Sequence, residues 1–295
     1  MRYAFIGLGE LGGALARCLI RAGFAVTVHD RDAGRMAGFA TSADSPAAAA
    51  AGADAVITCL PSPAASEAVL AAFLPALAPG ATWIEVSTLG RDEVLRLAAV
   101  AAAAGVQMVE APVTGGVHLA QRGAVTVLTG GDSALVDLHR PALAAMANRH
   151  FHMGPLGSAA VIKVITNMLA FIHLVADGEA LMLAARSGLD LAQSWEAIRA
   201  SSGNSFVHET EGQLILNGSY DVGFSMALAL KDLSFAAAQA AATGTPLDLA
   251  ARTLAIFEEG AARYGLGAQS TAIVRLLEDA TGTALRAEGF PARLV

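Results

Sequence analysis

The sequence predicts an α/β domain with a mostly parallel sheet over residues 1–155, followed by an all-helical domain over residues 156–295. Three observations carry this. Short apolar runs that end at glycine, proline or an acid alternate with alanine-rich stretches at helical spacing up to about residue 153, and strands alternating with helices imply right-handed crossovers and parallel pairing. After Gly154-Pro155-Leu156-Gly157 the strand signals nearly vanish. The composition, 55% hydrophobic, 15% charged and only 5% aromatic, gives ample core material and suits closely packed alanine-rich helices.

The first strand covers residues 2–6 and runs into Gly7-Leu8-Gly9-Glu10-Leu11-Gly12, which has the spacing G-x-G-x-x-G, and Leu11 to Ile20 follows at helical spacing. That order is what a dinucleotide-binding β-α turn requires. Gly7 permits the tight turn, Gly9 lets backbone approach a pyrophosphate, and Gly12 lets the helix pack close to the strand. The helix start offers free N–H groups and a partial positive charge to phosphates. A second strand, residues 25–29, ends at Asp30, an acid placed to accept from ribose hydroxyls and to repel a 2′-phosphate. Arg31 next to it could stack on adenine or grip that phosphate. The acid tilts the expectation to NAD, with NADP possible.

Further strands are expected at residues 54–60, 82–88, 105–110, 124–129 and 149–153, with helices at 64–77, 91–104 and after Asp132. Ligands bind at the carboxyl ends of such strands, which puts Leu60, Pro61, Ser87 and Thr88 on the cofactor rim. Glu110-Ala111-Pro112-Val113-Thr114-Gly115-Gly116 takes a strand end into a hydroxyl and two glycines. Bared N–H groups there can hold a carboxylate or an oxyanion; a flexible hairpin entry is the alternative.

A long apolar helix is expected from Ser158 to about Arg186, then three or more helices punctuated by Gly188, Gly203, Gly218, Gly244 and Gly265. Lys163 and Asn167 stand one turn apart and share a face with Ala160, Val164, Phe171 and Leu174. Lysine is rarely buried without a partner or a task, and partial burial lets its ammonium exchange a proton near neutral pH. The pair Lys231-Asp232 reads as an ordinary helix-surface pair. No cysteine, histidine or acid spacing fits a metal site, and no hydrolase motif is present. Cys18 and Cys59 read as small core residues in a reducing compartment. The formal charge of −7 argues against nucleic acid or an anionic membrane surface as partner. With no signal peptide visible and the long helix interrupted by Lys163, Asn167 and His173, a cytoplasmic, non-membrane protein is expected.

These motifs together resemble the β-hydroxyacid dehydrogenase family, and the resemblance covers nearly the whole chain. Phe5 to Gly12 is similar to its cofactor motif, with Leu11 where methionine is usual. Ala111 to Gly116 is similar to its substrate motif, Gly154 to Ser158 with Lys163 and Asn167 to its catalytic segment, and Lys231-Asp232-Leu233 to its C-terminal motif. The resemblance implies a Rossmann domain followed by a helical one, usually in a homodimer or homotetramer. It makes Lys163 the acid/base, gives the substrate to Thr114, Gly115, Gly116 and Asn167, and closes Lys231 over the cofactor. It implies a small hydroxy acid or semialdehyde as substrate. The chain departs from the pattern at Ala159, Cys18 and the thin motif Gly267 to Ala272, which bear on substrate identity. An NADPH-dependent imine or carbonyl reductase and a non-catalytic dinucleotide-binding protein are the rival readings; imine reductases usually carry another proton donor where Lys163 stands.

Overall fold

A computed structural model describes residues 1–294, and the chain divides into two compact units, the first ending at Lys163 and the second beginning at Val164. The expected boundary lay in the turn at 154–157, and its far end, residue 295, lies outside the described residues. The observed division falls inside a helix because the first turn of that helix packs into the core of the first unit, where Ala160 sits among Met108, Leu97 and Val106.

The first unit contains β1 (Arg2–Ile6), α1 (Glu10–Arg21), β2 (Ala25–His29), α2 (Ala33–Met36), α3 (Pro46–Ala50), β3 (Ala55–Thr58), α4 (Pro63–Phe73), β4 (Thr82–Glu85) and α5 (Arg91–Ala103). It continues with β5 (Gln107–Glu110), β6 (Val113–Thr114), α6 (Gly116–Gln121), β7 (Val125–Gly130), α7 (Ser133–Met146) and β8 (Ala147–Gly154). One sheet runs in the order β2-β1-β3-β4-β5-β7-β6, with β8 also paired to β7. The pairs β1·β2, β1·β3, β3·β4, β4·β5 and β7·β8 are parallel, and β7 is antiparallel to β5 and β6. The central strands β3 and β4 are buried along their whole length, as expected for parallel strands covered on both faces. Two apolar clusters cover them, one around Phe5, Leu15, Leu19 and Val127, the other around Trp83, Phe73, Leu70 and Leu97.

The expected strands all form: β3, β4 and β5 are shorter than their apolar runs, and β8 extends beyond the expected 149–153 at both ends. The segment after Glu110 is neither a plain loop nor a hairpin entry. It forms the two-residue strand β6 along β7, then the short helix α6. The helix α3 also escaped the sequence pattern; its start is marked by Ser45, whose side chain accepts from Ala48 N–H, and by Pro46.

The helix α8 (Ser158–Arg186) runs on into the second unit, which adds α9 (Leu191–Arg199), α10 (Phe206–Asn217), α11 (Met226–Thr243), α12 (Asp248–Tyr264) and α13 (Arg275–Thr281). The anticipated glycines end their helices: Gly218 and Gly244 are left-handed caps of α10 and α11, and Gly265 ends α12. Among the described residues α8 alone is long and apolar enough to cross a bilayer by length and composition, and 39% of its most apolar window is buried. On α8, Ala160, Val164, Phe171 and Leu174 are buried, as the spacing implied.

In the second unit His208 stacks on Trp195, with ring centroids 5.5 Å apart, and both His208 and Asp177 are buried. His208 faces Asp177 Oδ1 at 2.5 Å and the Trp195 carbonyl at 2.9 Å. Burial pulls the His208 pKa down, but the Asp177 and Trp195 oxygens outweigh it and leave it raised. Burial and the Asp177 charge push the carboxyl of Glu211 from 4.5 up to about 8. A carboxyl whose folded pKa is raised holds its proton more tightly folded than unfolded, so its contribution to stability is lost as pH climbs from 4.5 through about 8. Glu211→Gln removes that titration. Thermal melts from pH 5 to pH 8.5 are expected to show the variant gaining on the wild type as pH rises; a constant difference across the range contradicts the assignment.

Candidate functional site

The parallel pairing aligns the carboxyl ends of β1, β2, β3 and β4, so Gly7, Asp30, Leu60 and Ser87 follow their strands at one edge of the sheet. Three contacts tie this edge together. Gly7 N–H donates to the His29 carbonyl at 2.9 Å. Leu8 N–H donates to Asp30 Oδ2 at 2.6 Å. Leu60 N–H donates to Ser87 Oγ at 2.7 Å. Pro61 is exposed and Thr88 half-buried beside them.

The glycine turn is closed by steric necessity. Gly7 has φ +97°, and a Cβ there would lie 2.3 Å from the Cys59 carbonyl oxygen. A Cβ on Gly12 would lie 2.0 Å from the Gly7 carbonyl oxygen. Gly9 differs: a Cβ there meets nothing nearer than an Arg35 nitrogen at 3.5 Å, so its face is open. The start of α1 has no side-chain cap, leaving N–H groups beside Glu10 and Leu11 for a ligand.

Asp30 is buried and also accepts from Asp32 N–H at 2.9 Å. Arg35 approaches Asp30 at 3.9 Å and Asp32 at 3.7 Å, so two carboxylates and one guanidinium stand where the adenosine ribose would lie. Arg31 is exposed. An open cavity of about 280 Å³ is lined by Leu8, Gly9, Glu10, Arg17, Arg35 and other residues of this turn. Arg35 is carried on the short helix α2, is about half exposed, and reaches the turn from there.

At the next strand end, Gly115 and Gly116 take φ +124° and +81° and start α6 with no side-chain cap. Thr114 ends β6. His118 lies against Gly116, and burial together with Arg122 holds its pKa below the usual histidine value.

Glu110, at the end of β5, is 1% exposed. Its Oε1 accepts from Ala159 N–H at 3.0 Å and its Oε2 from Ala160 N–H at 2.9 Å. Burial pushes this carboxyl upward, and the N–H groups of Ala159, Ala160 and Gly157 pull it back, leaving it raised. Hydrogen bonds to a charged group contribute about 1.5–3 kcal/mol each. Lys163, in the next turn of α8, is buried.

In the second unit Asp232 is the hub. Asn167 Nδ2 donates to its Oδ2 at 2.5 Å, and Lys231 Nζ to its Oδ1 at 2.6 Å. Asp232 is 1% exposed, so Lys231-Asp232 is not the helix-surface pair its local sequence implies. Position decides this: Asp232 falls on the inward stripe of α11 with Ala229, Leu233 and Ala236. Lys231 also lies 4.9 Å from the Phe235 ring centroid. Among the described residues no group of three or more His, Cys, Asp or Glu could hold a metal ion. Cys59 is half-buried rather than fully in the core.

Comparison with known proteins supplies the context for these groups. The family model described as the NAD binding domain of 6-phosphogluconate dehydrogenase matches residues 2–154. The model described as NAD-binding of NADP-dependent 3-hydroxyisobutyrate dehydrogenase matches residues 157–277. The chain is 30% identical to 2-(hydroxymethyl)glutarate dehydrogenase of Eubacterium barkeri, with 97% of each chain covered. It is 34% identical to NAD-dependent L-serine dehydrogenase of Pseudomonas aeruginosa, with 85% of this chain and 90% of that protein covered. The solved Mycobacterium tuberculosis 3-hydroxyisobutyrate dehydrogenase with L-serine superposes with a TM-score of 0.84 at 30% identity, over 94% of this chain and 99% of that one.

The chain belongs to the β-hydroxyacid dehydrogenase family. It is an NAD(P)-dependent oxidoreductase. The residues of this dehydrogenase fit a dinucleotide on structural grounds alone: two glycines with no room for a Cβ, a third with an open face, uncapped helical N–H groups and a buried acid after β2. The contacts of Glu110 with Ala159 and Ala160, and of Asp232 with Asn167, were not legible, because the partners lie about fifty or more positions away in the chain.

The glycine geometry predicts a separation of effects. Gly12→Ala forces backbone apart and is expected to lower the melting temperature, since overpacking costs about 1–3 kcal/mol, and to abolish NAD binding. Gly9→Ala is expected to melt within a degree or two of wild type while weakening NAD binding, read by fluorescence titration. Equal melting losses in both variants would contradict the close-approach argument.

Proposed function

We propose that this dehydrogenase interconverts a small 3-hydroxy acid and its semialdehyde or keto acid, with Lys163 as acid/base. The observation that carries the reading is a lysine buried in the first turns of α8, in a segment that resembles the family's catalytic segment. The glycine turn, Asp30, Arg31, Leu60, Pro61 and Thr88 would hold the dinucleotide, with Lys231 closing over it. When bound, the dinucleotide supplies the hydride donor or acceptor.

Lys163 takes the hydroxyl proton of the substrate during oxidation and returns it to the carbonyl oxygen during reduction. Asn167, one turn further along the same helix, orients that oxygen, and Asp232 holds its amide. The N–H groups of Gly115 and Gly116 with the Thr114 hydroxyl hold the carboxylate. The 2-(hydroxymethyl)glutarate, L-serine and 3-hydroxyisobutyrate named for the relatives all carry a hydroxymethyl group bonded to the carbon that bears a carboxylate, which places the hydroxyl β to it. That shared feature supports the substrate class. Asp30 supports NAD over NADP, since its buried carboxylate after β2 would repel a 2′-phosphate, with Arg31 and Arg35 as the groups that would oppose that repulsion. The same reading makes the protein a cytoplasmic homodimer or homotetramer with α8 as a core helix.

Lys163→Ala is expected to lower kcat by about 10²–10⁴-fold with near-normal NAD affinity, the scale of general acid–base catalysis. Turnover near wild type would refute the lysine's role. A panel of small hydroxy acids and semialdehydes run with both cofactors is expected to give higher kcat/KM with NAD than with NADP. Preference for NADP with imines would favour the reductase reading instead.

A further inference from the structure

We infer that Glu110 is a positioning residue for Lys163: its carboxylate clamps the first turn of α8 and thereby sets the height and rotation at which the lysine is presented. This rests on the reading of Lys163 as acid/base. The first N–H groups of a helix have no partner within it and must find one outside. Usually a side chain just before the helix supplies it. Here the partner comes from β5, forty-nine and fifty positions earlier in the chain, and it is bidentate: Oε1 to Ala159 and Oε2 to Ala160. A single acceptor leaves a helix free to swivel about the bond. Two oxygens on two consecutive N–H groups fix translation along the axis and rotation about it together.

The clamp is itself rigidly held. Glu110 ends a strand hydrogen-bonded between β4 and β7. It is almost wholly buried, which shields the carboxylate from bulk solvent. Its neighbour across the strand pair is Gly130, where a Cβ would fall 2.0 Å from Oε1 and 2.8 Å from the carboxyl carbon. The glycine thus keeps clear the space the carboxylate occupies, although its own backbone needs no left-handed φ. The adjacent strand carries Glu85 in register, also buried, but its Oε1 is engaged by Ser87 N–H at 2.8 Å. Of the two neighbouring glutamates, Glu110 is the one bonded to α8.

Lys163 lies three residues beyond Ala160, so the two share a face of the helix. Long helical side chains lean toward the helix N-terminus, the end the carboxylate holds. A helix start carries a partial positive charge that disfavours an ammonium nearby, and a carboxylate seated on it offsets that charge. Glu110 therefore acts on the lysine in two ways, through the geometry of the helix and through the field at its start.

The test uses the full-length protein. Glu110→Gln keeps the shape but presents an amide donor to one of the two N–H groups. It is expected to lower kcat about 10–100-fold, the scale of an ångström's misplacement of a catalytic group, with KM for NAD within twofold of wild type. The limb of the pH–rate profile assigned to Lys163 is expected to move to lower pH, and amide exchange at Ala159 and Ala160 to accelerate. A folded variant with wild-type kcat and an unmoved profile overturns the proposal. The wild-type protein gives a second reading that requires no variant to fold. In labelled protein without substrate, the Glu110 carboxyl carbon, the Ala159 and Ala160 amides and the Lys163 Cε resonance are followed through the pH titration. All are expected to shift with one common midpoint; amides or a lysine carbon that ignore the carboxyl titration overturn it. These resonances do not depend on catalysis, so a catalytically idle Lys163 would leave them unchanged while Lys163→Ala retained turnover.

Discussion

The first unit depends on a backbone approach so close that two residues can only be glycine. The helix after β1 starts where a Cβ on Gly12 would lie 2.0 Å from the Gly7 carbonyl oxygen, and Gly7 itself sits against the Cys59 carbonyl. That approach draws α1 against the carboxyl ends of β1 and β3. The helix start, the Asp30 carboxylate and the Leu60–Ser87 contact then share one edge of the sheet. Any side chain at Gly7 or Gly12 would push these apart, and this edge of the sheet would open with them.

Buried carboxylates do the corresponding work for the polar side chains. Asp30 takes two backbone N–H groups and pins the glycine turn to the end of β2. Glu110 takes two more and pins the start of α8. Asp232 takes Asn167 on one oxygen and Lys231 on the other. Each would be costly to bury alone, and each is bonded through both oxygens. Such two-point attachment fixes orientation as well as distance, which is what groups that must meet a reacting atom require.

Much of this was legible along the chain. The glycine spacing, the acid after β2 and the change from strands to helices after Gly154 are local patterns, and local patterns survive folding. The long apolar helix with one lysine and one amide was also readable, since helical periodicity alone puts Lys163 and Asn167 on one face. What was missed is non-local. Nothing near Glu110 marks it as the cap of a helix fifty residues on, and nothing in Leu230-Lys231-Asp232-Leu233 separates a buried acid from an exposed one. The short strand β6 exists only because β7 offers an edge at Val127 and Thr126.

The most direct measurement is a crystal structure of the protein with NAD and an unreactive hydroxy-acid analogue. Lys163 Nζ should then stand within hydrogen-bond reach of the analogue's hydroxyl, about 2.6–3.2 Å, on the side of the carbinol carbon away from bulk solvent. A closed complex in which that nitrogen points to solvent, with another group occupying the hydroxyl, would contradict the assignment of the acid/base.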